Sequence, residues 1–217
     1  MDFVLASRSP RRRDLLALIG HPFRLAVLEV DERPRPGEPP EQYARRLSIE
    51  KAQAAVPLAG PDALILAADT IVVDGAVILE KPRNADHAAA MLRALRGRTH
   101  RVLTAVTLLD AAARRSLTQV AASPVHMRAY TDREIADYIA SGDPFDKAGA
   151  YGIQHPVFSP AQDFDHCFAN VMGLPLCHIA RMLRELDCPP PADVPAACQQ
   201  HIGYTCPVYR HILNGGE

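Results

Sequence analysis

Ala63-Leu64-Ile65-Leu66-Ala67-Ala68-Asp69-Thr70 decides the fold class. An apolar run without the alternation of a half-exposed strand reads as a strand buried on both faces. Such strands lie in the interior of α/β sheets, between layers of helices. The run ends on a carboxylate and a hydroxyl, Asp69-Thr70. In open α/β sheets the C-terminal end of a strand is the edge where ligands bind. A carboxylate there can bind a divalent cation or orient a water as general base. A lone Asp-Thr pair is equally the cap of an ordinary turn.

Outward from this strand, helix and strand signals alternate. Upstream, residues 2–7 read as a short apolar strand, and Ser9 caps a helix that opens on Pro10, runs to about Ile19 and stops at Gly20. Residues 23–30 read as a second strand, residues 31–40 as a proline-rich charged loop, and Pro40 to Ala55 as a helix. Downstream, Asp74-Gly75 is a hairpin turn before Ala76–Leu79. Asn84 caps a helix ending near Gly97, and strands follow over 99–109 and 115–129. Thr131-Asp132-Arg133-Glu134 has capping-box spacing and opens a helix to about Ser141. Pro175 to Leu186 reads as the last helix. The alternation predicts an α/β fold with a mixed sheet and flanking helices. Past Asp187 the Cys-Pro-Pro-Pro-Ala-Asp stretch breaks the pattern, so residues 1–187 read as one domain and 188–217 as a C-terminal extension.

The chain has 217 residues, 48% of them hydrophobic, which suits a folded core and excludes a disordered chain. The net charge of −1 argues against a nucleic-acid partner, which needs a basic surface. No apolar stretch reaches the length of a membrane span, and the N-terminus lacks the pattern of a signal peptide. The five cysteines lie in the last quarter and are odd in number, which predicts free thiols and a cytoplasmic setting. Only three of the 24 basic residues are lysines: Lys51, Lys81 and Lys147. A chain this rich in arginine is expected to keep lysine where a compact ammonium fits and a planar guanidinium does not, with chance as the alternative for any one of the three.

Three further segments carry chemistry. Ser7-Arg8-Ser9-Pro10-Arg11-Arg12 places cations in the first turn of a helix, whose N-terminus is already partly positive. A bound anion removes the conflict: backbone N–H groups, the Ser7 and Ser9 hydroxyls and the arginine forks would converge on phosphate oxygens. A solvated basic turn paired with Asp14 is the plainer alternative. Glu32 and the tripeptide Glu80-Lys81-Pro82 each follow a strand-like run, and alone either reads as ordinary surface charge. Asp146-Lys147-Ala148-Gly149-Ala150-Tyr151-Gly152-Ile153-Gln154 combines small residues, which admit a flat ligand, with an amide that both donates and accepts.

In this order, with Glu50-Lys51-Ala52 and Asn170-Val171-Met172-Gly173-Leu174-Pro175-Leu176, the segments resemble the Maf family of nucleotide pyrophosphatases over about residues 2–187. The resemblance implies hydrolysis of a nucleoside triphosphate to monophosphate and pyrophosphate, helped by a divalent cation, Mg²⁺ or Mn²⁺. It implies two lobes around a cleft, similar to the inosine triphosphate pyrophosphatases. By the family pattern Asp69 matches the proton acceptor, and in the mechanism this suggests Glu32 and Asp69 would hold the metal or position water. Glu32, Lys51 and Lys81 handle phosphate and metal, and Lys147 belongs to the substrate cleft. Arg11, Thr70 and Gln154 set substrate choice. Lys147–Gln154 looks like the branch acting on dTTP and UTP. A branch acting on 7-methyl-GTP and a non-catalytic regulator of septum formation are the alternatives. The expected partners are the nucleotide and a second copy of the chain as a homodimer, with no membrane or nucleic acid.

Residues 155–169 depart from the family pattern. Pro156 and Pro160 stand where glycines are usual, implying a reshaped wall near the base. In the extension, Cys188, Cys198, His201, Cys206 and His211 are candidate zinc ligands at a non-standard spacing. The alternative is a tail packed on the domain through Ile202, Tyr204, Val208 and Tyr209.

Overall fold

The computed structural model describes residues 2–27 and 29–216. A mixed sheet runs in the order β2-β1-β3-β5-β6. Its strands are β1 (Asp2–Leu5), β2 (Arg24–Leu25), β3 (Ala63–Asp74), β5 (Thr99–Asp110) and β6 (Arg115–His126). A short β4 (Val77–Leu79) returns along the far end of β3 after the Asp74-Gly75 turn. β1 is parallel to both β2 and β3, and β3, β5 and β6 are antiparallel. Pro124 lies in β6, which pairs with β5 alone, so its missing N–H faces an edge.

The buried reading of 63–68 holds: Ala63 and Ile65 pack in the cluster on one face, Leu64 in that on the other, and every residue from Ala63 to Asp69 is buried. Odd-numbered residues of β3 face α2 (Pro40–Ala59). There Ala52, Ala55 and Ala59 pack on Val4, Ile65 and Ala67, while Tyr43, Ala44 and Leu47 pack on Ile71 and Val73. Even-numbered residues face two separate helix groups. Leu64, Leu66 and Ala68 meet α1 (Pro10–Ala17) and α6 (Leu176–Glu185). Val72 meets α3 (Ala85–Leu95) and α4 (Asp132–Ala140). The two even-face clusters are the cores of two lobes, and β3 runs through both.

Three differences from the sequence reading have local causes. The strand expected over 23–30 is only Arg24–Leu25, because β1 ends at Leu5 and offers no ladder beyond it; Leu28 lies outside the described residues. α2 continues to Ala59 although Pro57 removes one backbone donor, since Ala55 and Ala59 keep its last turns seated on the sheet. The extension is helical, with α7 (Val194–Ile202) and α8 (Tyr209–Leu213) following the short α5 (Phe168–Met172) and α6. Val194, Cys198 and Ile212 are buried in the first lobe's core, and Ile202, Val208 and Tyr209 pack against it. Tyr204 donates its hydroxyl to Phe164 O at 3.0 Å.

Candidate active site

Asp69 and Thr70 sit where the sheet forks. β3 pairs with β1 up to Leu66 and with β4 from Val72, so between them its edge opposite β5 is open. The opening leads into a cleft of about 710 Å³. Ser7, Ser9, Arg11, Arg12, Glu32, Lys51, Asp69, Thr70, Lys81, Lys147 and Gln154 all line it.

The pleat turns neighbouring side chains to opposite faces, so Asp69 and Thr70 build two different walls. Asp69 points toward α2, and Lys51 Nζ donates to its Oδ1 at 2.6 Å. The same ammonium lies 2.7 Å from Glu32 Oε1. Tyr43, earlier on α2, donates its hydroxyl to Glu32 O at 2.6 Å and so anchors the loop. Across the ladder from Asp69 stands Ala105, small enough to leave the carboxylate room. Burial pushes the Glu32 carboxyl up, but the Lys51 hydrogen bond and the charges of Lys51, Lys81 and Arg12 outweigh it and hold the group below its ordinary value.

Thr70 points the other way. Its Oγ1 accepts from Arg12 Nη2 at 2.9 Å and lies 3.0 Å from Thr104 Oγ1, the residue opposite it on β5. Arg12 Nε donates to Gly173 O at 2.9 Å, and Thr104 Oγ1 donates to Asn170 O at 2.9 Å. Gly173 has φ +105°, and a Cβ there would lie 3.2 Å from Thr70 Oγ1 and 3.5 Å from Arg12 Nε. Both the backbone and the close approach therefore require glycine. Burial draws the Arg12 guanidinium down from its ordinary pKa, and the nearby Asp69 charge acts in the opposite sense.

The three consecutive arginines separate by direction. Arg12 turns inward to Thr70, Arg11 faces the cleft with Nη1 3.3 Å from Asp146 Oδ2, and Arg13 turns out to Asp14 at 3.6 Å. Ser9 caps α1, its Oγ accepting from Arg12 N at 3.3 Å, and Ser7 Oγ accepts from Ser9 N at 3.2 Å. Each hydroxyl keeps its own proton to donate.

Lys147 lines the cleft, as expected, and has protein partners as well. It is 7% exposed, and its ammonium donates to Asp143 O at 2.6 Å, Asp143 Oδ1 at 2.8 Å and Asp146 Oδ1 at 2.6 Å. Three protons serve three acceptors, so Lys147 braces its own turn. Lys81 and Gln154, in contrast, are exposed at the cleft. The reshaped stretch after Gln154 folds onto α4, where the Phe158 ring stacks on Tyr138 at 4.2 Å between centroids.

Gly173, Thr104, Tyr138 and Asp143 support the site without having been singled out for it. Gly173 lies inside the family-like segment Asn170–Leu176, which is its only signal in the sequence. Thr104 looks like any strand residue and Tyr138 like any helix residue, because what matters is a partner far away in the chain. The candidate zinc ligands do not assemble: among the described residues no three His, Cys, Asp or Glu side chains are placed to hold an ion. Cys198 and Cys206 instead line a small apolar cavity with Cys167 and Cys177, and Cys188 Sγ lies 3.6 Å from His21 Nε2.

The profile described as Maf-like protein matches residues 2–186. The chain belongs to the Maf family. The Maf segment is 46% identical over 182 residues to the dTTP/UTP pyrophosphatase of Escherichia coli O6:K15:H31 (strain 536 / UPEC), covering 84% of this chain and 91% of that one. It is 44% identical over 172 residues to the dTTP/UTP pyrophosphatase of Photorhabdus laumondii, covering 79% and 87%. Among solved structures, the Mycobacterium abscessus nucleoside-triphosphatase (dITP/XTP pyrophosphatase) is 17% identical with a TM-score of 0.38, covering 58% of this chain and 74% of that one. The Staphylococcus aureus Ham1 protein is 12% identical with a TM-score of 0.43, covering 58% and 72%. At these overlaps the fold of this Maf chain is read from its own sheet. No helix among the described residues is long and apolar enough to cross a membrane.

Proposed function

We propose that this Maf chain hydrolyses dTTP and UTP to the monophosphate and pyrophosphate, as a cytoplasmic enzyme that clears the nucleotide pool. The observation that carries the reading is one cleft with an acid at the sheet fork, Asp69, and the arginine-bearing first turn of α1. The names of the E. coli and Photorhabdus relatives support the same substrates.

In this reading Arg11, the Ser7 and Ser9 hydroxyls and the N-terminus of α1 receive the β- and γ-phosphates, and exposed Lys81 adds charge. Arg12 holds Thr70 and the Gly173 turn in place. Lys51 fixes Asp69 through Oδ1, leaving Oδ2 to take a proton from water. The water oxygen attacks the α-phosphorus, the bond to the bridging oxygen breaks, and pyrophosphate leaves with that electron pair. Gln154 offers a donor and an acceptor to the O4 and N3 edge of thymine or uracil. Lys51 takes one oxygen of each of the Glu32 and Asp69 carboxylates, and the oxygens it leaves free would give a Mg²⁺ or Mn²⁺ hard donors beside the phosphate oxygens. Such a cation supplies neutralisation of phosphate charge when bound.

The test is pyrophosphate release from dTTP, UTP, CTP and 7-methyl-GTP, with and without Mg²⁺. Turnover of dTTP and UTP is expected, and Asp69→Asn should lower kcat by at least about 100-fold. Preference for 7-methyl-GTP would overturn the base assignment. Binding without pyrophosphate release would favour a non-catalytic regulator.

A further inference from the structure

Tyr138 touches none of the residues proposed to act on phosphate, yet it stands at the centre of the turn that carries Gln154. It lies on α4, is 3% exposed, and its hydroxyl has two partners. It accepts from the backbone N–H of Gly152 at 2.9 Å and donates to Asp143 Oδ2 at 2.6 Å. Asp143 in turn binds Lys147, whose aliphatic stem lies beneath Gly152: a Cβ on Gly152 would come within 2.9 Å of Lys147 Cε. The backbone two residues before Gln154 is thus gripped from both sides. The ring of Tyr138 also stacks on Phe158 and meets His155 edge-on at 4.8 Å, so one side chain holds the turn and the reshaped wall beside it.

We infer that Tyr138, acting with Asp143, is the positioning residue that sets base selectivity, by fixing the backbone from which Gln154 reads the base. This rests on the pyrimidine nucleotide reading of the same cleft. Truncating the hydroxyl keeps the ring and its stacking but leaves the buried Gly152 N–H and Asp143 Oδ2 each short of a partner, which loosens the turn. The phosphate walls on α1, α2 and β3 meet this network only through Arg11, whose Nη1 lies 3.3 Å from Asp146 Oδ2, and neither substitution removes that pair.

The experiment compares Tyr138→Phe and Asp143→Asn with the unaltered full-length chain. KM and kcat are measured on dTTP, UTP and CTP, and amide hydrogen exchange is measured at Gly152 without nucleotide. The expected result is a rise in KM for dTTP and UTP of about tenfold, kcat within about twofold, and a matching fall in discrimination against CTP. Gly152 exchange should speed up at least about tenfold in both variants. Unchanged discrimination in an enzyme that does turn over dTTP overturns the inference, and so does unchanged Gly152 exchange. If the unaltered chain hydrolyses neither dTTP nor UTP, the substrate reading fails, and Gly152 exchange with CTP and 7-methyl-GTP kinetics still decides the role of Tyr138.

Discussion

Replacing Lys51 with methionine tests the centre of the site. The ammonium lies 2.6 Å from Asp69 Oδ1 and 2.7 Å from Glu32 Oε1. The Asp69 side chain is 9% exposed and that of Lys51 16% exposed. Removing one member of a buried pair costs about 3–5 kcal/mol, because the other charge stays buried without a partner. The Glu32 side chain is 59% exposed, so its pair adds at most about 0.5 kcal/mol. Methionine keeps most of the aliphatic stem, so lost packing is a minor effect. Because the pair borders an open cleft, the lower end applies, about 3 kcal/mol. At about 2–4 °C per kcal/mol for a chain of this size, Tm should fall by about 6–12 °C. Thermal unfolding of the nucleotide-free chain near neutral pH measures it. A double-mutant cycle with Asp69→Asn should return a coupling of about 2 kcal/mol, since the second change removes the charge left stranded by the first. A Tm drop below about 2 °C, or a coupling within about 0.5 kcal/mol of zero, would refute the claim that Lys51 clamps Asp69.

Gly173→Ala should destabilise the fold by about 2 kcal/mol, from its positive φ and the crowding of Thr70 Oγ1, and should lower kcat/KM by displacing Arg12; urea unfolding and steady-state kinetics read the two effects. Burial lowers the pKa of His100 and of His178 from 6.5 to about 4. Their folded pKa values lie below the unfolded ones, so the stabilisation is complete above pH 6.5 and is lost as pH falls toward 4. Each histidine should account for about 2–3 kcal/mol of that loss, and His178→Leu should flatten the pH dependence of urea unfolding over this range. Ending the chain at Asp187 removes Val194, Cys198 and Ile212 from the first lobe's core and should cost roughly 3–6 kcal/mol; pyrophosphate release at low temperature should survive, because no cleft residue lies in the tail.

Much of the site was legible because its residues sit at places the local chain marks. Asp69 ends an apolar run, Ser9 and Pro10 open a helix, and the turn around Gly149 is spelled by small residues. These are signals of a few neighbouring residues, set by backbone sterics and hydrogen-bonding needs. The extension was less legible. Asp193 caps α7 with its side chain accepting from Ala196 N at 3.2 Å, but the preceding prolines masked that start.

By itself the sequence determined the α/β alternation, the buried central strand, the cap of α1 and the identity of the groups that line the cleft. The tertiary structure decided which partners each group meets there. It separated Arg11, Arg12 and Arg13 into cleft, buttress and surface. It tied Lys147 to Asp143 and Asp146, and it gave Lys51 two carboxylates at once. The physical reason is sequence distance. Arg12 meets Gly173, Lys51 meets Asp69 and Thr104 meets Asn170 only after the sheet has formed, and no local pattern records a partner chosen by strand pairing and by the fork between β1 and β4.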